Sequence, residues 1–476
     1  MGRCCWFLLW VVLLPVVMAG CATRQYSSVP AVAVSDACDR QFLRWRNQVA
    51  DEGRFDAQDW SPPGFPYLRV DRFLASFDLT ELSSSQRRDW LTRAQAKAAT
   101  AWRYEMQGGP EGASQWLDGL ADCAERARGQ LASDPEYWPQ LAEAAEVPDS
   151  YSTGAQVLGL YPLVSLIVRW RATVTMTELG QAFENYRPDA DWRVYRPAKV
   201  SDHAPVRIDG FERDSLGIPV LSGETRRALF QRHAPVWRIE TRDRNDLPGI
   251  PGRIGEGRLT FRPEPLVFTH LGMTYQDGRV QPQLVYLLWF PSRPAESWLD
   301  IYAGALDGFV WRVTLGENGQ ALVYDTIHPC GCYHQWLLVG NGLAPNPAVD
   351  FEAEQLWLLG TVPERVEAPM LSLSAGDHQL VGVDDRAQYA ATPGNTSSYR
   401  MEPLDGLRGR SHSGGRLYGG DGLIAGSERP ERFLLWPTGV PSAGGMRQWG
   451  HHAVSFVGRR HFDDPFLLDQ YFLSPP

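Results

Sequence analysis

Seven consecutive residues, His328-Pro329-Cys330-Gly331-Cys332-Tyr333-His334, carry four soft or borderline metal ligands at every second position. In an extended strand alternate side chains share a face. At roughly 3.3 Å per residue they would then spread over about 20 Å, too far for one ion. Pro329 and Gly331 break a strand, however, and let the segment curl. A curled loop can place two thiolates and one or two imidazoles around Zn(II) or Cu(I), at bond lengths of about 2.0–2.3 Å. The C-x-C spacing is tighter than the C-x-x-C of standard zinc sites. The same cysteines suit a vicinal disulfide, structural or redox-active, if the chain bends at Gly331. Two buried thiols without a role are the third reading. The leading expectation is that His328, Cys330, Cys332 and His334 hold one Zn or Cu ion.

A second polar concentration lies near the C-terminus: His451, His452, Arg459, Arg460, His461, Asp463 and Asp464. If the cysteine loop comes close, a bound metal would activate a water there, with His461 or Asp463 as its base. The bland alternative is a mutually paired structural cluster. His270 and His412 stand alone and read as structural. The chain contains no G-x-S-x-G elbow, Walker A sequence or H-E-x-x-H. Gly420-Asp421-Gly422 with Gly426 lacks the βαβ context of a dinucleotide loop, so those glycines read as turns. Whether the protein is an enzyme is left open by these residues.

The elements around the loop are legible in part. Phe309, Trp311, Val313 and Leu315 alternate with Val310, Arg312 and Thr314. Gly316-Glu317-Asn318-Gly319 is a turn with the Asn-Gly hairpin signal, and Ala321–Ile327 returns directly into His328. Val236–Thr241, Leu266–Leu271 and Leu284–Phe290 read as further short strands. Upstream the periodicity is helical. Ser35 can cap a helix whose apolar face is Cys38, Phe42, Trp45 and Val49. Trp90–Met106 reads as a second helix, and Leu117, Leu120, Ala124, Ala127 and Leu131 mark a third. Val157–Trp170, interrupted by Pro162 and Arg169, reads as part of a buried helix over 155–185. The expected organisation is a mainly helical domain at 36–190, an irregular connection at 191–235, and a β-rich domain at 236–476 whose last 80 residues wrap it as loops. The fold class is α+β.

Composition excludes several classes. With 476 residues, 43% hydrophobic and 21% charged, the chain can bury a large core and is not a disordered protein. A net charge of −10 without a basic run argues against a nucleic-acid partner. Lys97 and Lys199 are the only lysines beside a large arginine complement. At the start, Met1-Gly2-Arg3 precedes an apolar run, Trp6–Val17, of the length of a signal h-region and too short for a spanning helix. Residues 1–20 are expected to be removed as a signal peptide, and 21–35 to form a tether. Four cysteines then remain beyond Cys21. Cys38 and Cys123 both fall in the helical region and are expected to form a disulfide, as suits an oxidising compartment.

Met18-Ala19-Gly20-Cys21 resembles the lipobox of bacterial lipoproteins. That resemblance implies cleavage before Cys21, lipidation of its thiol and a membrane as partner through the lipid. Ala22, in place of an aspartate, favours the periplasmic face of the outer membrane. Several further stretches strengthen the likeness: Pro66–Phe77; Trp289-Phe290-Pro291 with Arg293-Pro294; Leu306-Asp307-Gly308 before Trp311–Leu315; His328–His334; and Arg459–Asp464. Together they resemble a family of proteobacterial envelope lipoproteins of uncharacterised activity. The resemblance implies an architecture and a compartment, and no mechanism.

Overall fold

The computed structural model describes residues 35–475 apart from 110–112, 199–209, 256, 353, 365–367 and 385–394. The leader, Cys21 and all of the tether but Ser35 lie outside the described residues. The chain forms two compact units, divided between Val147 and Pro148.

The first unit is helical: α1 Asp36–Asp51, α2 Arg72–Ala75, α3 Ser84–Glu105, α4 Ala113–Ser133 and α5 Tyr137–Ala144. Ser35 caps α1 by accepting from the Cys38 amide, and Ser83 with Gln86 closes a capping box on α3. The Cys38, Phe42, Trp45 and Val49 face of α1 meets Ala98, Trp102 and Met106 of α3 and Leu120, Cys123, Ala124 and Ala127 of α4. Cys38 and Cys123 are bridged, tying α1 to α4 across 85 residues. Lys97, one of the two lysines, lies 2.9 Å from Asp59 and 2.7 Å from Asp71.

The second unit opens with α6 Thr153–Leu158, α7 Tyr161–Asn185, strand β1 Asp191–Pro197 and helix α8 Gly223–His233. After β2 Val236–Thr241, strands β3 Ile250–Arg253 and β4 Leu259–Arg262 form a separate hairpin. A meander follows: β5 Leu266–Gln276, β6 Arg279–Arg293, β7 Gly304–Leu315, β8 Ala321–Ile327 and β9 Gln335–Val339. β10 Ala344–Pro345 pairs with the terminal β15 Phe472–Leu473. β11 Trp357–Val362, β12 Met370–Leu373, β13 Leu380–Asp384 and β14 Thr396–Pro403 complete the strands. The short helices α9 Arg432–Leu435 and α10 Leu467–Tyr471 lie in the C-terminal segment.

Among the described residues, eleven strands make one sheet in the order β11-β9-β8-β7-β6-β5-β14-β1-β2-β12-β13. β2 and β7 are five places apart, which in a flat sheet is about 24 Å. Yet the Trp237 and Phe309 rings they carry lie 6.0 Å apart. The sheet therefore curls on itself, and all eleven strands contribute to one inner core. The odd and even positions of β6 go to opposite sides. Leu284, Tyr286, Leu288 and Phe290 enter the inner core. Val285, Leu287 and Trp289 meet Leu404, Leu407, Tyr418, Met446 and Phe462 of the C-terminal segment on the outer face. Burial on both faces explains the near-continuous apolar run there. Helix α7 contacts both edge strands, β11 and β13.

The α+β class is as expected, and β7–β8 pair across the Asn-Gly turn. Other expectations are corrected. Residues 191–235 are not simply irregular, because they contain β1 and α8. The helices of 153–185 belong to the second unit, so the compact helical unit ends at Val147 rather than near 190. Helix α7 buries no residue, although its composition reads as core. The final 80 residues contribute β14, which sits mid-sheet and parallel to both β1 and β5. Strands β5 and β6 run longer than their apolar cores, joined at Asp277-Gly278, where both φ angles are positive, +50° and +68°. Such a two-residue turn matches the twist of a hairpin.

Candidate thiol and carboxylate site

The loop 328–334 leaves the end of β8 and turns at once. The His328 amide donates to the Cys332 carbonyl at 3.0 Å, and the Gly331 amide donates to the His328 carbonyl at 2.8 Å. Gly331 has φ +91°, and a Cβ there would stand 2.4 Å from the Ala453 carbonyl oxygen. Only glycine fits so close a backbone approach. Tyr333, at φ +59°, turns the chain again. Arg447 clamps the loop from the C-terminal segment: its amide donates to the Pro329 carbonyl and its Nε donates to the Cys330 carbonyl at 3.1 Å.

These turns cancel the alternation that would put all four ligands on one face. His328 faces Asp307, with Nδ1 3.4 Å from Oδ1, whereas His334 Nε2 lies 2.9 Å from Oδ2 of Asp325. The four expected ligands do not converge as a set. Among the described residues, no group of three or more His, Cys, Asp or Glu side chains has metal-holding geometry. The second nitrogens, His328 Nε2 and His334 Nδ1, are buried without hydrogen-bond partners.

Cys330 and Cys332 are both unbridged, the first buried and the second partly exposed. The two side chains are close enough for the ionisation of each to act on the other. The hydrogen bond from its neighbour draws the first ionisation, at Cys330, below the ordinary thiol range; burial opposes this and the Arg429 charge assists it. The same hydrogen bond, together with burial, pushes the second ionisation far up. Glu431 stands beside the pair and Arg429. Burial raises its carboxyl to about 7, against the pull of Arg429 and Arg293. Gly444 lets it in: a Cβ there would lie 2.0 Å from Glu431 Oε1, and φ is +79°.

Behind the thiols sits Asp307 of β7, fully buried. His378 Nδ1 lies 2.8 Å from its Oδ2, and Arg429 donates to its Oδ1 at 3.1 Å. Burial would raise this carboxyl, but Arg429 and His328 hold it well below the ordinary range. His378 lies flat on Phe290, ring centroids 3.7 Å apart, and its Nε2 is 3.4 Å from Asp246 Oδ1. Burial would lower this imidazole, but the two carboxylates raise it. Leu306, Tyr333 and His378 all have positive φ, between +51° and +60°. Three non-glycine residues in left-handed conformation around one polar node are a concentration of backbone strain, of the order of 1 kcal/mol or more each.

The C-terminal cluster lies alongside: the His452 side chain bonds to the Pro329 backbone of the loop, whereas His461 turns elsewhere. His334 packs edge-on against Phe462 at 5.3 Å. His461 Nε2 instead accepts from the Ser150 amide at 3.1 Å and lies 3.4 Å from Asp149 Oδ1. Asp463 sits half-buried in the turn that the Asp464 amide closes on the His461 carbonyl. The expected pairing of a base at His461 or Asp463 with the cysteine loop is therefore not formed by the His461 side chain. Sequence reasoning missed Asp307, Asp246, His378 and the role of Glu431. A carboxylate inside an otherwise apolar strand, Asp307 before Phe309–Leu315, was the available signal. Comparisons with protein-family models, curated proteins and solved structures gave no match.

Proposed function

We propose that the protein is a lipid-anchored envelope protein whose second unit carries a thiol–disulfide centre at Cys330 and Cys332. The observation that carries this reading is the unbridged thiol pair on a sharply turned loop, in a chain whose Cys38 and Cys123 are bridged. Exchange needs a thiolate and access to one sulfur. The Arg429 charge favours a thiolate at buried Cys330, while the partly exposed sulfur is that of Cys332, so Cys332 attacks as its proton passes to the Cys330 thiolate. The Cys332 sulfur attacks one sulfur of a partner disulfide, forming a mixed disulfide and releasing the partner's other sulfur as a thiolate. The remaining thiol then loses its proton, for which Glu431 is the adjacent acceptor, and attacks the mixed disulfide. A Cys330–Cys332 bond forms and the second partner thiolate leaves. Two electrons pass to the partner, whose sulfurs leave as two thiolates; of the pair's two protons, one is given up in forming the first thiolate and the other goes to Glu431.

A second reading keeps the same loop as a Zn or Cu site, favoured by the two unpartnered imidazole nitrogens of His328 and His334. One experiment separates the readings. The chain from Ala22 onwards is incubated in oxidised and reduced glutathione, alkylated and mapped by mass spectrometry, with elemental analysis in parallel. The expected result is reversible oxidation of Cys330 and Cys332 in the folded protein, with Cys38–Cys123 unchanged. Thiols that react only after denaturation would sink the redox reading. About one equivalent of zinc or copper, absent from a Cys330→Ser/Cys332→Ser variant, would replace it with the metal reading.

A further inference from the structure

Helix α7 is apolar on most sides, yet none of its 25 residues is buried. Leu163, Leu166, Ile167 and Trp170 are 64–67% exposed. Their spacing of three, one and three puts them on one helix face. Helix α9 adds Phe433 and Leu434, 68% and 61% exposed, and both helices pack against the short 3-10 turn Trp436–Thr438. Exposed apolar surface gathered in one place marks an interaction site. The C-terminal end of α7 is held on the sheet, since Phe183 packs against the inner core. No helix among the described residues is long and apolar enough to cross a membrane. Held on the sheet at its C-terminal end, the helix can instead lay its exposed Leu163–Trp170 face on a bilayer surface.

Charge selects the occupant. The chain as a whole carries −10, but residues 150–177 contain no Asp or Glu and two arginines, Arg169 and Arg171. Both are exposed beside Trp170; Arg171 also bonds to the Tyr302 hydroxyl, which leaves Arg169 as the uncommitted guanidinium of the two. An apolar stripe with a tryptophan and a flanking arginine matches the interface of an anionic bilayer: the ring takes the headgroup level and the Arg169 guanidinium reaches phosphate. A protein groove would not need the local exclusion of carboxylates in so acidic a chain. We infer that the apolar face of α7 and α9 docks on an anionic lipid surface. The contact would be a second, non-covalent attachment beside the lipid on Cys21, and it does not depend on the thiol reading.

The test is flotation of the unlipidated chain from Ala22 onwards, which retains every described residue. The vesicles contain phosphatidylethanolamine and phosphatidylglycerol, or phosphatidylcholine alone. The chain is expected to float with the anionic vesicles, and less so in high salt, which screens the arginines. Leu166→Ser/Ile167→Ser should weaken binding about tenfold or more, as two exposed apolar side chains stop inserting. Arg169→Gln should weaken it about fivefold on anionic vesicles only. Circular dichroism and glutathione oxidation of both variants should match the parent. Absence of flotation, or equal flotation of parent and Leu166→Ser/Ile167→Ser, would overturn the inference. So would a parent that sediments as a dimer which that double variant dissociates, because the face would then belong to a second copy.

Discussion

At the scale of single residues, the thiol loop depends on groups that no local pattern announces. Glu431 is 3% exposed, and its carboxyl is raised from 4.5 to about 7. Below pH 4.5 the folded and unfolded chains both hold that proton. Between pH 4.5 and 7 the unfolded chain releases it and the folded chain does not, so this contribution to stability is lost as pH rises, by up to about 3 kcal/mol. Glu431→Gln should abolish that fall: equal to the parent near pH 4.5, the variant should be about 1–3 kcal/mol more stable above pH 7. Urea unfolding across that range measures the difference, and parallel curves would show that Glu431 ionises normally. Within the same neighbourhood the sequence disclosed Cys330 and Cys332 because their types and spacing are local. It hid Asp307 and His378, 71 residues apart, because curling of the sheet brings them together.

Strands and helices were legible where their burial is one-sided. The α1 stripe and the β7–β8 hairpin follow directly from periods of 3.6 and 2. β14 was not legible, since a central parallel strand acquires its place from β1 and β5 rather than from its own residues. α7 was misread because hydropathy reports what a helix could bury and not whether anything covers it. β7 and β8 also carry the least replaceable polar pair. Arg312 Nε donates to Asp325 Oδ1 at 2.8 Å, both side chains are sealed from solvent, and His334 bonds to the same carboxylate. Asp325→Asn keeps the shape and leaves the guanidinium buried without a countercharge. The expected loss is about 3–5 kcal/mol. Denaturation with an unchanged urea slope would report it, and a loss below about 1 kcal/mol would mean that water reaches the pair.

For the whole molecule, the buried imidazoles set the response to acid. His233, buried against the Gly319 carbonyl, is lowered to about 4, His334 to about 4 and His452 to about 3, in each case chiefly by burial. The unfolded chain takes protons on these rings as pH falls through 6.5, while the folded chain refuses them until far lower. Their stability contribution is therefore present above pH 6.5 and lost on acidification. Glu431 and His378, whose protonated forms the fold favours, act in the opposite direction. Three rings lowered this far outweigh them, and the carboxylates of Asp307 and Asp325, held low, add to the loss at still lower pH. The second unit should thus be less stable at pH 4.5 than at pH 7, by about 4–5 kcal/mol, since each tenfold difference in proton affinity between folded and unfolded chain is worth about 1.4 kcal/mol. Urea midpoints followed through the circular dichroism of the sheet test this. A midpoint that holds or rises on acidification would show that the folded protein protonates these rings, so that His233, His334 and His452 lie open to water instead of buried.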